Sequence, residues 1–162
     1  MGDFRLVFPV VAVMIAMLLT ACSGDATPPR DLLLSPEDFP RSGVTETSRE
    51  TGESDQYEPA VQVELTSLDF TVLESLVLFE SQDLALALLS EIKQDQLSQG
   101  VDAHPADGFD ANSGVLADRL HGKDASTLFF VEGRALVRIT LSGVDHADRV
   151  WEIARLAREK SG

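Results

Sequence analysis

Residues Thr127 to Leu141 read TLFFVEGRALVRITL, and this stretch constrains the fold more than any other. Two runs of aromatic, β-branched and aliphatic residues are split by Glu132-Gly133-Arg134, where Gly133 offers the positive φ of a tight turn. The pattern predicts an antiparallel hairpin with arms at Thr127–Val131 and Ala135–Leu141. A two-stranded ribbon is marginal alone, so the chain must supply further strands and a cover for the apolar side chains.

Both are present. Val61 to Leu65 (VQVEL) alternates apolar and polar residues, the period of a half-buried strand. Leu73 to Glu80 (LESLVLFE) reads as another strand centred on Leu76 to Phe79, and Val115 to Leu120 as a further short one. Ser81 to Gln99 places Leu84, Leu88 and Ile92 four residues apart, with Ala85 and Leu89 beside them, so an amphipathic helix is expected there. Ser81 is its candidate cap and Gly100 its stop. After Ser142-Gly143, the segment Val144–Lys160 predicts a last helix. Its expected buried stripe is Ala147, Val150, Trp151, Ala154 and Ala157, with Trp151 against the hairpin. Acids open this helix and bases close it, matching the helix dipole.

Strands grouped in hairpins, with helices kept apart from them, predict an α+β fold: one antiparallel sheet with two amphipathic helices packed on one face. LVLFESQDLALALLSEIK and VRITLSGVDHADRVWEIARLA share a strand-to-helix grammar, which admits a pseudo-repeat of two ββα units.

The N-terminus concerns address rather than fold. Leu6 to Ala21 is sixteen residues without a charge, preceded by MGDFR and followed by Cys22, the sole cysteine. A spanning helix needs about 20 apolar residues. This run is shorter and ends in small residues, as a cleavable signal segment does. Leu19-Thr20-Ala21-Cys22 resembles the lipobox of bacterial lipoproteins: an aliphatic residue, two small residues and a cysteine. The resemblance implies diacylglyceryl modification of Cys22, cleavage between Ala21 and Cys22, and anchoring on the extracytoplasmic face of the cell membrane. In a bacterium with two membranes, Ser23 after the cysteine is compatible with the outer one. Two acyl chains hold a protein stably where one does so only marginally.

Residues 1–21 are therefore expected to be a signal peptide, 22–30 a lipidated N-terminus and flexible tether, and 31–162 a single α+β extracytoplasmic domain. In the tether, Ser23 to Arg30 carries two prolines and no periodicity. Residues 31–58 are expected to be peripheral or partly disordered. There, Leu32, Leu33, Leu34 and Phe39 dock on the domain around a short turn capped by Ser35, while Val44 to Glu58 forms either an exposed edge strand with a loop or no structure. A small acidic sheet-and-helix domain behind a lipoprotein signal is also similar, in this grammar alone, to uncharacterised extracytoplasmic bacterial lipoprotein domains.

The formal net charge of −14 excludes a nucleic-acid footprint and opposes flat docking on anionic lipid. Chemical motifs are sparse. The loop VDAHPADGFDANSG gathers oxygen ligands, with Asp107, Asp110 and Asn112 as weak metal candidates, but Gly114 falls one place early for a calcium loop and no Glu closes it. His104, His121 and His146 lack metal-ligand spacing, and His146 is expected at the surface. No nucleophile elbow, zinc-protease helix or phosphate loop is written in the chain, so no catalytic residue or cofactor is assigned. The expected function is a non-catalytic binding or interaction module of the cell envelope, with an envelope protein as partner. A carrier or sensor for a small apolar ligand is the alternative, and a hydrolase with an unrecognised site the third reading.

Overall fold

The computed structural model describes residues 28–52, 60–100, 109 and 114–162. Six strands form one sheet: β1 (Thr45–Gly52), β2 (Ala60–Thr66), β3 (Phe70–Leu78), β4 (Gly114–Leu120), β5 (Lys123–Glu132) and β6 (Ala135–Gly143). Helix α1 (Gln82–Ser98) follows β3, and α2 (His146–Ser161) follows β6. Two 3-10 turns, Pro29–Leu32 and Pro36–Asp38, precede β1. The spatial order is β1-β2-β3-β6-β5-β4, with every neighbouring pair antiparallel.

The expected hairpin is β5–β6, with Val131 opposite Leu136 and Gly133 in its turn at φ +54°. The repeat is longer than expected: each half is three strands and a helix, because TETSRETG and GVLADRL also pair, as the sheet's edges. The charged, polar composition of TETSRETG suits an edge strand, where apolar residues would invite other chains.

The expected packing of both helices on one face does not hold. Side chains alternate across a sheet, so neighbouring residues of a strand point to opposite faces. Ala135, Val137, Ile139 and Leu141 lie in a cluster with Val150, Ile153, Ala154 and Ala157 of α2. Leu136, Val131 and Phe129 lie in a second cluster with Ala85, Leu88, Leu89 and Ile92 of α1. The helices therefore cover opposite faces. The cause lies in TLFFV and ALV: consecutive rather than alternating apolar residues put large side chains on both faces, and both need a cover. This also breaks the repeat. The two-fold axis that exchanges the antiparallel β3 and β6 runs perpendicular to the sheet and leaves each face unchanged, so it cannot relate helices on opposite faces.

Two helix stripes are rotated from expectation. In α1, Leu84 is exposed while Ala85 and Leu89 are buried, because the helix meets the sheet along the Ala85–Leu89–Ile92 line. Ser81 caps it as expected, accepting the Leu84 N–H. In α2, Ala147 is exposed and Ile153 is buried instead, while Trp151 is half-buried with its ring 5.0 Å from that of Phe109.

On the α2 face, the β2–β3 half of the sheet is covered by the N-terminal segment. Leu33 and Leu34 are buried against it, and Phe39 packs its ring 5.8 Å from Phe70. We call residues Leu32 to Phe39 the strap. Of the residues expected within the tether, Pro28 and Arg30 are exposed and Pro29 is half-buried. Pro29–Leu32 forms a turn, and the Arg30 carbonyl accepts from Arg49 Nη1 at 2.9 Å.

Candidate functional site

The inward row of β3 is Phe70, Val72, Glu74, Leu76, so an acid occupies a core position between apolar neighbours. Glu74 is 0% exposed. Its Oε2 accepts the Leu34 N–H of the strap at 2.7 Å, whereas Oε1 has no hydrogen-bond partner among the described residues. Burial pushes the Glu74 carboxyl up to about 7, against the Leu34 N–H and the positive charges of Lys160 and Arg49, which favour ionisation; Asp38 adds to the rise.

Charged clamps fix the strap above this carboxyl. Lys160 Nζ, from the end of α2, donates to Asp38 Oδ2 at 2.6 Å and to Ser35 Oγ at 3.0 Å. Asp38 Oδ2 also accepts from the Ser35 N–H and hydroxyl at 2.7 and 2.9 Å. Burial raises the Asp38 carboxyl, but these donors outweigh it and hold the group below its ordinary value. From β1, Arg49 Nη2 donates to the Leu34 carbonyl at 2.8 Å and pairs with Glu46 at 2.9 Å.

Two clefts flank the β5–β6 turn at this end of the molecule. One, of about 660 Å³, lies between Pro28, Pro29 and Leu32 of the N-terminal segment, Leu78, Arg134 and the C-terminal Ser161–Gly162. The other, of about 480 Å³, is bordered by Gln82, Phe109, Phe130 and Arg158. Glu132 and Gly133 line both, and Glu132 Oε2 accepts from Arg158 Nε at 2.6 Å. Arg134 Nη1 donates to the Phe79 carbonyl at 3.1 Å, tying the turn to the end of β3. Both volumes fall in the range of ligand sites, and both clefts are open to solvent with charged and apolar residues side by side.

On the α1 face, beyond the helix, polar side chains bridge the strands. Thr127 Oγ1 donates to Asp118 Oδ2 at 2.6 Å and lies 2.8 Å from Thr140 Oγ1; Arg138 Nη2 reaches the same carboxylate at 3.1 Å. The Thr127 hydroxyl and the Arg119 N–H hold the Asp118 carboxyl below its ordinary value, with Arg138 adding to them. His121, in the β4–β5 turn at φ +51°, places Nε2 2.6 Å from Glu64 Oε2 on β2. On the opposite face, at the start of α2, His146 is half-buried rather than at the surface, because its Nδ1 lies 2.8 Å from Ser126 Oγ on β5.

Cys22, expected to be lipidated, Ala21, expected at the cleavage site, and the metal candidates Asp107, Asp110 and Asn112 lie outside the described residues, as does His104. His121 and His146 attach to different elements and are not brought together. Among the described residues no three His, Cys, Asp or Glu side chains gather as a metal site, and no helix is long and apolar enough to cross a membrane. Sequence reasoning missed Glu74, though a signal exists: an acid in phase with the inward period of FTVLESLVL. It missed the clefts because they join chain segments far apart in sequence.

No family model matches the chain, and no curated protein matches it. Among solved structures it is similar to the crystal structure of the extracellular domain of PknH from Mycobacterium tuberculosis. That alignment has a TM-score of 0.60 at 12% identity, over 80% of this chain and 92% of the other. At that identity the likeness establishes the fold.

Proposed function

We propose that the chain is a lipid-anchored extracytoplasmic lipoprotein whose folded part is a binding module, taking a partner of the cell envelope at the clefts around the β5–β6 turn. The observation that carries the reading is the uncharged run closed by Leu19-Thr20-Ala21-Cys22. The likeness in fold to an extracellular domain supports it. The position of Pro28 gives it geometry: this first described residue lines the larger cleft. Six residues from Cys22 to Pro28 reach at most about 20–22 Å, so the cleft stands close above an anchored cysteine. An acidic domain is repelled by anionic lipid, so a membrane-proximal protein segment fits this place better than the bilayer surface. Mixed polar and apolar lining in an open cleft favours such a partner over the alternative, an apolar ligand enclosed between sheet and helices.

The test is site-specific photocrosslinking in the native envelope. A photoreactive residue at Ser161, in the cleft wall, is expected to capture a discrete partner. The same residue at Lys123, exposed at the opposite end of β5, is expected to capture none. Equal capture at both positions, or at neither, contradicts the assignment of the cleft.

A further inference from the structure

We propose that Leu32–Phe39 is a proton-gated strap, seated on the sheet while Glu74 holds a proton and loosened when Glu74 gives it up. The geometry carries this. Glu74 lies on the inward face of β3, beside Ile139 of β6 and under Leu34 of the strap, with no exposed surface. One of its oxygens is used by the strap's own backbone, and the other meets no donor among the described residues. An unbonded neutral carboxyl hydroxyl at Oε1 costs less than a buried carboxylate with an empty lone-pair set, which is costly unless water reaches it. Lifting the strap is the local motion that admits water, because the strap's Leu34 backbone sits directly on the carboxyl.

The charged groups around Glu74 do not cancel the gate. Lys160 on α2 and Arg49 on β1 favour the ionised form, and Asp38 in the second turn opposes it. Lys160 and Arg49 are also committed elsewhere, Lys160 to Asp38 and Ser35, Arg49 to Glu46 and the carbonyls of Arg30 and Leu34. Burial therefore prevails, and the seated state holds the proton up to about 7. An exposed glutamate loses it near pH 4.5, so the linkage favours release as pH rises through this interval, with a ceiling of about 300-fold in the seated-to-released ratio. Leu32 also lines the larger cleft, so release removes part of that wall. The strap proposal stands whether or not the cleft takes a partner.

The test is hydrogen exchange of the full chain read by mass spectrometry, with protection expressed relative to intrinsic exchange at each pH. Protection of the Leu33–Phe39 amides is expected to fall about 100-fold between about pH 5 and pH 8.5, while the paired amides of β3 and β6 keep theirs. Glu74→Gln is expected to flatten the pH dependence. A flat wild-type profile, an equally steep one in Glu74→Gln, or a parallel fall in β3 and β6 overturns the proposal. Should the variant not fold, the infrared band of a protonated carboxyl in the wild type decides. It must fade over the interval in which strap protection falls; absence of the band at the acid end, or its persistence at the alkaline end, overturns the proposal.

Discussion

Gly143 closes β6 opposite Phe70 of β3, at φ +126°, a backbone region that side-chain-bearing residues rarely occupy. A Cβ built there would lie 2.2 Å from the Asp69 carbonyl oxygen and 2.8 Å from the Phe70 Cα, both backbone atoms that cannot swing aside. Gly143→Ala must therefore bend the strand end. The unfavourable φ costs about 1–3 kcal/mol. Moving the Asp69 carbonyl also sacrifices the bond it accepts from the Val144 N–H at 3.3 Å, worth about 0.5–1.5 kcal/mol. The expected total is about 3 kcal/mol, a large share of the 5–15 kcal/mol typical of a domain. Gly133 supplies the control. It has positive φ in the β5–β6 turn, but a Cβ there meets nothing within 4 Å, so Gly133→Ala pays only the left-handed backbone term of about 1–2 kcal/mol. Urea unfolding followed by the fluorescence of Trp151, the sole tryptophan, measures both. If Gly143→Ala is no more destabilising than Gly133→Ala, the close approach of the β2–β3 turn to the end of β6 is wrong.

Leu33→Ala empties a buried position under the strap and is expected to cost about 2–4 kcal/mol; a chain beginning at Thr45 should lose at least as much relative to one beginning at Asp31, by urea midpoint. Trp151→Ala, at a half-buried ring against Phe109, is expected to cost about 2–3 kcal/mol, read by calorimetry, and a change of under about 0.5 kcal/mol would place α2 elsewhere. Glu74 has a folded pKa raised above its unfolded value, so its contribution is greatest at low pH and is lost as pH rises from about 4.5 to about 7. The stability difference between wild type and Glu74→Gln should shift by roughly 3 kcal/mol over that window. Asp38, Glu46 and Asp118, whose pKa values are lowered, contribute in the opposite sense and lose stability only as pH falls below about 4.5.

The β5–β6 hairpin and the Ser81 cap were legible because their signals are local: strand-forming runs about a glycine, and a hydroxyl three residues before an amide. The face assignment of the helices was equally written in the chain, in Phe129-Phe130 and Ala135-Leu136-Val137, but periodicity read one helix at a time overlooks that a strand apolar on both sides needs two covers. TETSRETG could not be assigned from its own residues. It becomes a strand because Arg49 and Thr51 pair with Val63 and Val61 of β2, and no window within it carries that information. The burial of Glu74 beneath Leu34 joins residues 40 apart, and the clefts join the N-terminal segment, the β5–β6 turn and the C-terminus. Such sites arise from packing, and composition gives no trace of them.

We propose that this domain hangs from a lipidated cysteine, with the cleft end close above a membrane. Intact-mass measurement of the protein extracted from its native membranes tests it most directly. The expected mass is that of a chain that lacks residues 1–21, begins at Cys22 and carries a diacylglyceryl group, with Cys22→Ala leaving the longer, unacylated precursor. A wild-type mass that retains Met1–Ala21, or one that begins near Cys22 without acyl groups, would contradict it.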